Sequence, residues 1–342
     1  MATWFDESRL DDEAVWRRAD DQLRALAEAG ARVRREAAEA EPATAEAVVR
    51  ATEQQRPRAV IAAGPDSRLL RAVLEPWCSV PFVAWSNPSL PGWAGSLDLV
   101  VVLAPDGGPG SASAVAEGVR RGCQVVVACP PVSTVAEHAT GRWATILPTP
   151  SRDQLATAVV MLEYLEQVQL GPRVDTERVA TALDDVAIAC SPHRDLAVNP
   201  AKMLAIALAD TLPVVWGGSV LAARAARRIA ESLRRVSGRS ALAGDAEHLL
   251  PVLEAARDRD VFDDPFADEA RDLRPMLLIL DDGTEEPVIR EERGRLQAAA
   301  AVRGVRVETL TTDAPTEVAR YASLYLSGSY AAAYLGVGLV ED

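Results

Sequence analysis

The stretch Leu99-Val100-Val101-Val102-Leu103 is apolar throughout, with no polar residue alternating in. A strand with one wet face alternates in character. An unbroken run must be covered on both faces, as in a parallel sheet with helices on either side. It closes the run Leu97–Leu103, and other apolar, β-branched runs occur at Ala59–Ala63, Val80–Trp85, Gln124–Ala128 and Ala144–Leu147. Helical patterns at Ser67–Leu74, Ser111–Arg121, Ser133–Ala139 and Arg152–Val168 lie between and after them. This alternation predicts right-handed βαβ units and an α/β fold.

The rhythm fades between Gly171 and Pro200, then resumes. Helix is expected at Lys202–Ala209, Ala222–Val236, His248–Arg257 and Glu291–Arg303. Strands are expected at Pro213–Trp216, Ser240–Ala243, Pro275–Leu280 and Val305–Leu310, and two closing helices at Thr316–Leu326 and Ser329–Gly336. A chain of 342 residues has room for two domains of ordinary size. The expected division is 1–170 for an opening helix and first domain, 171–200 for a linker and 201–342 for a second domain. The opening segment Asp11–Ala40, rich in Ala, Glu and Arg, predicts a packing helix with Leu23, Leu26 and Val33 on one face.

Charge narrows the partners. Asp and Glu number 50 against 36 Lys and Arg, a formal charge of -14. Such a surface repels phosphate backbones and anionic lipid heads, so neither nucleic acid nor membrane is expected as a partner. The acidic start is unlike a signal peptide, and no window reaches the roughly 20 apolar residues of a membrane helix. A cytoplasmic protein is expected. Cys78, Cys123, Cys129 and Cys190 show no Cys-x-x-Cys spacing, and neither a metal site nor a cofactor is expected.

In open parallel sheets, ligands bind beyond the carboxyl ends of the strands, where helix N-termini offer free N–H groups. Four turns fall there. Gly64-Pro65-Asp66-Ser67 combines a glycine with a serine, although serine is also an ordinary helix cap. Ala104–Ser111 is glycine-rich and carries hydroxyls at Ser111 and Ser113, but it lacks a Gly-Lys-Ser/Thr phosphate loop and includes Asp106. Pro148-Thr149-Pro150-Ser151-Arg152 offers Arg152 to an anion, against the commoner role of a surface arginine. Trp216-Gly217-Gly218-Ser219 places two glycines and a hydroxyl between strand and helix. His138, His193 and His248 read as surface residues more readily than as catalysts, and no Ser–His or metal-ligand spacing accompanies them.

The order of these elements resembles the bifunctional phosphoglucose/phosphomannose isomerase family, built from two tandem sugar isomerase (SIS) domains. Asn199-Pro200-Ala201-Lys202 followed by Leu212–Ser219 looks like that family's entry into its second domain. Val80-Pro81-Phe82-Val83 with Leu90-Pro91-Gly92-Trp93 is similar to its approach to the central strand. Ala322–Leu326 with Ser329-Tyr330 and Tyr334-Leu335 is similar to its closing helices. The resemblance implies two three-layer α/β/α SIS domains, a homodimer, a sugar-phosphate pocket between domains and aldose–ketose isomerisation through an enediol. It implies phosphate contacts from Gly64, Ser67, Ser111, Ser113, Arg152, Gly217, Gly218 and Ser219. It points to Glu231 or Glu247 as the base and His248 for ring opening. The sequence departs from the family at four places, the first being the turn after Ala59–Ala63, where of the family's glycine-rich loop and serine only Gly64 and Ser67 survive. Ala104–Ser111 stands where the family has Ser-Gly-Asn-Thr, Arg234 stands at its catalytic Glu, and Leu249 follows His248 where the family has Asn. Two expectations follow: an isomerase of hexose 6-phosphates with shifted catalytic groups, or a non-catalytic SIS protein that senses a sugar phosphate or binds a protein.

Overall fold

All five residues of Leu99–Leu103 are buried, as a doubly covered strand requires. The computed structural model describes residues 3–257 and 273–341. The chain begins with strand β1 (Thr3–Phe5) and helices α1 (Glu13–Trp16) and α2 (Asp20–Ala27). Two units follow from the packing: residues 29–181, and residues 1–28 together with 182–342.

The first unit contains α3 (Ala29–Thr52), β2 (Val60–Ala63), α4 (Ser67–Leu74), β3 (Phe82–Trp85), β4 (Leu99–Leu103), α5 (Pro109–Arg120), β5 (Gln124–Cys129), α6 (Thr134–His138), β6 (Ala144–Pro148) and α7 (Gln154–Gln167). Its five strands are parallel in the order β3-β2-β4-β5-β6. Ile61, Val100, Val102, Val125 and Val127 point to one face and pack with Ala114 and Val115 of α5 and Val135 of α6. Helices α3, α4 and α7 cover the other face. The chain reverses direction across the sheet between β2 and β4, and a crevice at their carboxyl ends is the usual ligand position in such a topology.

The second unit contains α9 (Pro200–Leu208), β7 (Thr211–Gly217), α10 (Val220–Ser237), β8 (Leu242–Ala243), α11 (Ala246–Glu254), β9 (Arg274–Asp281), α12 (Pro287–Val302), β10 (Arg306–Thr311), α13 (Glu317–Gly338) and β11 (Leu339–Glu341), after α8 (Thr176–Ala189), which spans the boundary. Among the described residues, four of its strands form a parallel sheet in the order β10-β9-β7-β8, so the switch lies between β7 and β9. Val214, Trp216, Leu277 and Ile279 pack against α11 and α12, and α9, α10 and α13 lie on the opposite face. Strand β1 pairs antiparallel with β11.

Four features differ from the sequence expectation. The opening segment is no single helix: it breaks after Ala27, and α3 continues to Thr52 through Pro42. Residues 1–28 belong to the second unit, where α2 packs on α13, although the expected division put them in the first domain. The closing helices are one continuous α13. Ser329 donates its hydroxyl to the carbonyl of Tyr325 at 2.7 Å, and the helix runs unbroken through the Ser-Gly-Ser stretch. Helix α8 fills much of the segment expected to link the domains.

Candidate functional site

At the first unit's switch point, Gly64 ends β2 with φ +90°. A Cβ there would lie 3.2 Å from the Ser111 Oγ, so the turns after β2 and β4 meet at this glycine. Ser67 opens α4 and is 1% exposed, and its hydroxyl has no hydrogen-bond partner among the described residues. Ser111 is buried too, and its hydroxyl turns back toward the Leu103 carbonyl at 3.5 Å. Of the hydroxyls expected to hold an anion, those of Ser67 and Ser111 therefore lie inside the protein. Ser113, half-buried on α5, and the N-terminal backbone of that helix remain nearer the surface. Pro109 at the first helical turn has no N–H to offer.

The turn after β6 contains more chemistry than its arginine. Arg152 is exposed, but Thr149 is fully buried, and among the described residues neither its hydroxyl nor the buried Ser151 hydroxyl has a hydrogen-bond partner. The Ser151 N–H donates to Glu36 Oε1 at 2.8 Å, while Glu36 Oε2 has no hydrogen-bond partner among the described residues. Asp153 caps α7 through the Leu155 and Ala156 N–H groups and takes a two-nitrogen contact from Arg32 at 3.0 and 2.8 Å. Gln154 donates to Asp66 beside Ser67. These contacts form a polar belt along the carboxyl end of the first sheet. Sequence reasoning missed Glu36, Thr149 and Ser151. The readable signal was Glu36 itself, which falls on the face of α3 shared with Val33 and Ala40.

In the second unit, Gly217, Gly218 and Ser219 do form a strand-to-helix turn, with Ser219 capping α10 through the Ala222 N–H. Packing explains the glycines. A Cβ on Gly217 would lie 2.3 Å from the Ala222 carbonyl carbon, and one on Gly218 would lie 2.3 Å from Ile289 Cγ2. The Ser219 hydroxyl donates to Asp282, at the carboxyl end of β9. Asp281 beside it is held by Arg293 through two bonds of 2.8 and 2.9 Å. With a carboxylate bonded to the serine, this turn disfavours phosphate.

The expected acid–base residues are not gathered. Glu231 lies about 18 Å along α10 from Ser219 at 1.5 Å per residue, toward the amino end of the sheet. It is ion-paired with Arg228 at 2.9 Å and Arg235 at 3.0 Å. Glu247 and His248 sit at the start of α11, exposed, near the carboxyl end of β8. Arg234, at the position aligned with the family's glutamate, donates to the Ala241 carbonyl at 2.7 Å. Among the described residues, no group of three or more His, Cys, Asp or Glu side chains could hold a metal ion, and no helix is long and apolar enough to cross a membrane.

Residues 197–339 match the family described as bacterial phospho-glucose isomerase C-terminal SIS domain. The fold is shared with tagatose-6-phosphate ketose/aldose isomerase from Escherichia coli, at TM-score 0.60 and 13% identity, over 92% of each chain. It is shared with a glucose-6-phosphate isomerase like protein from Thermus thermophilus, at TM-score 0.52 and 14% identity, over 83% of this chain and 82% of that one. It is also shared with the C-terminal domain of glucosamine-fructose-6-phosphate aminotransferase from Francisella tularensis, at TM-score 0.57 and 11% identity, over 90% of this chain and 96% of that one. No curated protein sequence matches the chain. These likenesses show the fold, parallel sheets flanked by helices, and residues 197–339 are similar to a phosphoglucose-isomerase-type SIS domain.

Proposed function

We propose that this tandem SIS-fold chain, isomerase-like in architecture, binds a sugar phosphate without isomerising it. The observation that carries this reading is the placement of Glu231. An enediol mechanism needs a base within hydrogen-bond reach of the carbons that exchange a proton. Here the helix that would supply that base presents Glu231 far from its N-terminal turn, held by two arginines. Binding is supported at the first unit's switch point, where Gly64 brings two turns together and α5 opens beside them. Asp282 makes the second unit's turn the poorer phosphate site. A homodimer is part of the proposal, tested by light scattering after gel filtration.

Thermal shift with glucose 6-phosphate, fructose 6-phosphate and mannose 6-phosphate, run beside coupled isomerase assays on the same samples, tests the reading. A stabilising shift without turnover is expected. Turnover would establish the second reading, an active isomerase, which the family match over 197–339 favours. Loss of that turnover in His248→Ala or Glu247→Gln would then assign the chemistry to α11. No shift with any of the three sugars would overturn the binding proposal.

A further inference from the structure

The first unit has a second recess, at the opposite end of its sheet from the turns described above. It is a cavity of about 300 Å³ at the amino ends of β4 and β5, where Leu99 and Gln124 begin those strands. Five glutamines line it: Gln54, Gln55, Gln124, Gln167 and Gln169. Among the described residues, no hydrogen bond to the protein engages their carboxamides. A neighbouring recess of about 310 Å³ shares Gln54, Gln55 and Gln124 and extends to Trp143.

Three features define what fits. Each carboxamide sets a donor beside an acceptor and carries no charge. Tyr164, 3% exposed, lines the same cavity, and burial pushes its phenol up to about 12, so it stays a neutral hydroxyl at physiological pH. Helices α3 and α7 both end here, at Thr52 and Gln167, and their C-termini carry partial negative charge. That charge disfavours a phosphate and favours a ligand rich in donors. Arg56 also lines the cavity, but its guanidinium donates to Ser79. Apart from Thr52, the remaining walls, such as Leu170 and Pro57, are aliphatic, and at the neighbouring recess Arg142 lies 4.7 Å from the Trp143 ring centroid, over one of its faces. A nucleobase lacks the paired flat surfaces it needs for stacking. Gln169 holds φ +60°, a backbone region uncommon for glutamine, at the lip of this cavity.

We propose that this glutamine-lined cavity binds an uncharged polyol, a free sugar or sugar alcohol, at a site separate from any sugar phosphate. Hydroxyl groups donate and accept together and match paired carboxamides, and the cavity is at the lower end of ordinary ligand pockets. The proposal does not depend on the sugar-phosphate reading. Isothermal titration of the full chain with glucose, mannitol, adenosine and glucose 6-phosphate tests it, using wild type, Gln124→Ala and Tyr164→Phe. Saturable binding of glucose or mannitol is expected, weakened by about threefold to tenfold in each variant, the effect of one neutral hydrogen bond. Binding of glucose 6-phosphate should be unchanged in both variants. Tyr164→Phe preserves the ring and guards against loss of fold. Adenosine binding in preference to the polyols would overturn the ligand class. Absence of polyol binding at millimolar concentration, or binding indifferent to both variants, would overturn the site.

Discussion

Lys202 Nζ donates to Asp11 Oδ1 at 2.7 Å, joining the start of the chain to the helix that opens the second sheet. The ammonium is fully buried and also donates to the carbonyls of Pro192 and Arg194, both at 2.9 Å, so its three protons are satisfied. Lys202→Ala should cost about 3 kcal/mol, because it leaves carbonyls unpaired and Asp11 without its partner. Asp11→Asn retains an acceptor at a half-exposed position and should cost about 1 kcal/mol. Urea unfolding of the two variants checks the ranking. Equal losses would show that Asp11, rather than the carbonyls, dominates.

Helices α10 and α13 approach closely at Gly328. A Cβ there would lie 2.4 Å from Ile229 Cγ1 and Cδ1. Gly328→Ala should therefore destabilise by about 2 kcal/mol through overpacking. Gly336, farther along the same helix, would place a Cβ 3.6 Å from Val236, an ordinary contact. Gly336→Ala should be neutral or stabilising by up to about 1 kcal/mol, the helix preference for alanine. Adding Ile229→Ala to Gly328→Ala should recover part of the loss, and a thermodynamic cycle measures that coupling.

The strand and helix rhythm was legible because doubly covered strands are apolar from end to end. Val125–Ala128 and Pro275–Leu280 are examples. The chain's ends and the polar groups were not. Asn199-Pro200-Ala201-Lys202 reads as a family signature, and the structure gives its reason: Asn199 caps α9 through the Ala201 and Lys202 N–H groups, and Lys202 gathers the chain's opening. The Gly217–Ser219 turn looked like a phosphate cradle because local sequence cannot reveal that Asp282, distant in the chain, bonds to its serine. Ser67 and Ser111 lie where the turns were expected, but the direction of a hydroxyl depends on packing that the sequence does not display.

Burial controls the cysteines. The Cys190 thiol is pushed up to about 12 from an ordinary 9.0, and Cys123 and Cys129 are raised by the same cause. Native protein should therefore alkylate first at half-buried Cys78, as mass spectrometry of a short iodoacetamide reaction reads out. The sign of the stability effect follows. Unfolded Cys190 loses its proton near pH 9 while the folded thiol keeps it, so its contribution is full below that pH and declines toward pH 12. Cys190→Ala should flatten the fall in stability between about pH 9 and 11 relative to wild type. An unchanged slope would remove Cys190 as its cause.

Glu36 tests the polar belt. Its carboxyl group is fully buried, and among the described residues its one hydrogen bond comes from the Ser151 N–H at 2.8 Å. Glu36→Ala leaves that N–H without its acceptor and opens a gap between α3 and the turn after β6, so a loss of about 2–3 kcal/mol is expected. Glu36→Gln keeps an oxygen in place and should lose less. The same pair of variants separates structure from ligand binding. If Glu36 serves only to fasten α3 to the Thr149–Ser151 turn, the stability of the two variants will predict their sugar-phosphate shifts. A Glu36→Gln protein that unfolds like wild type yet gives no shift would place this carboxyl group in the ligand site itself.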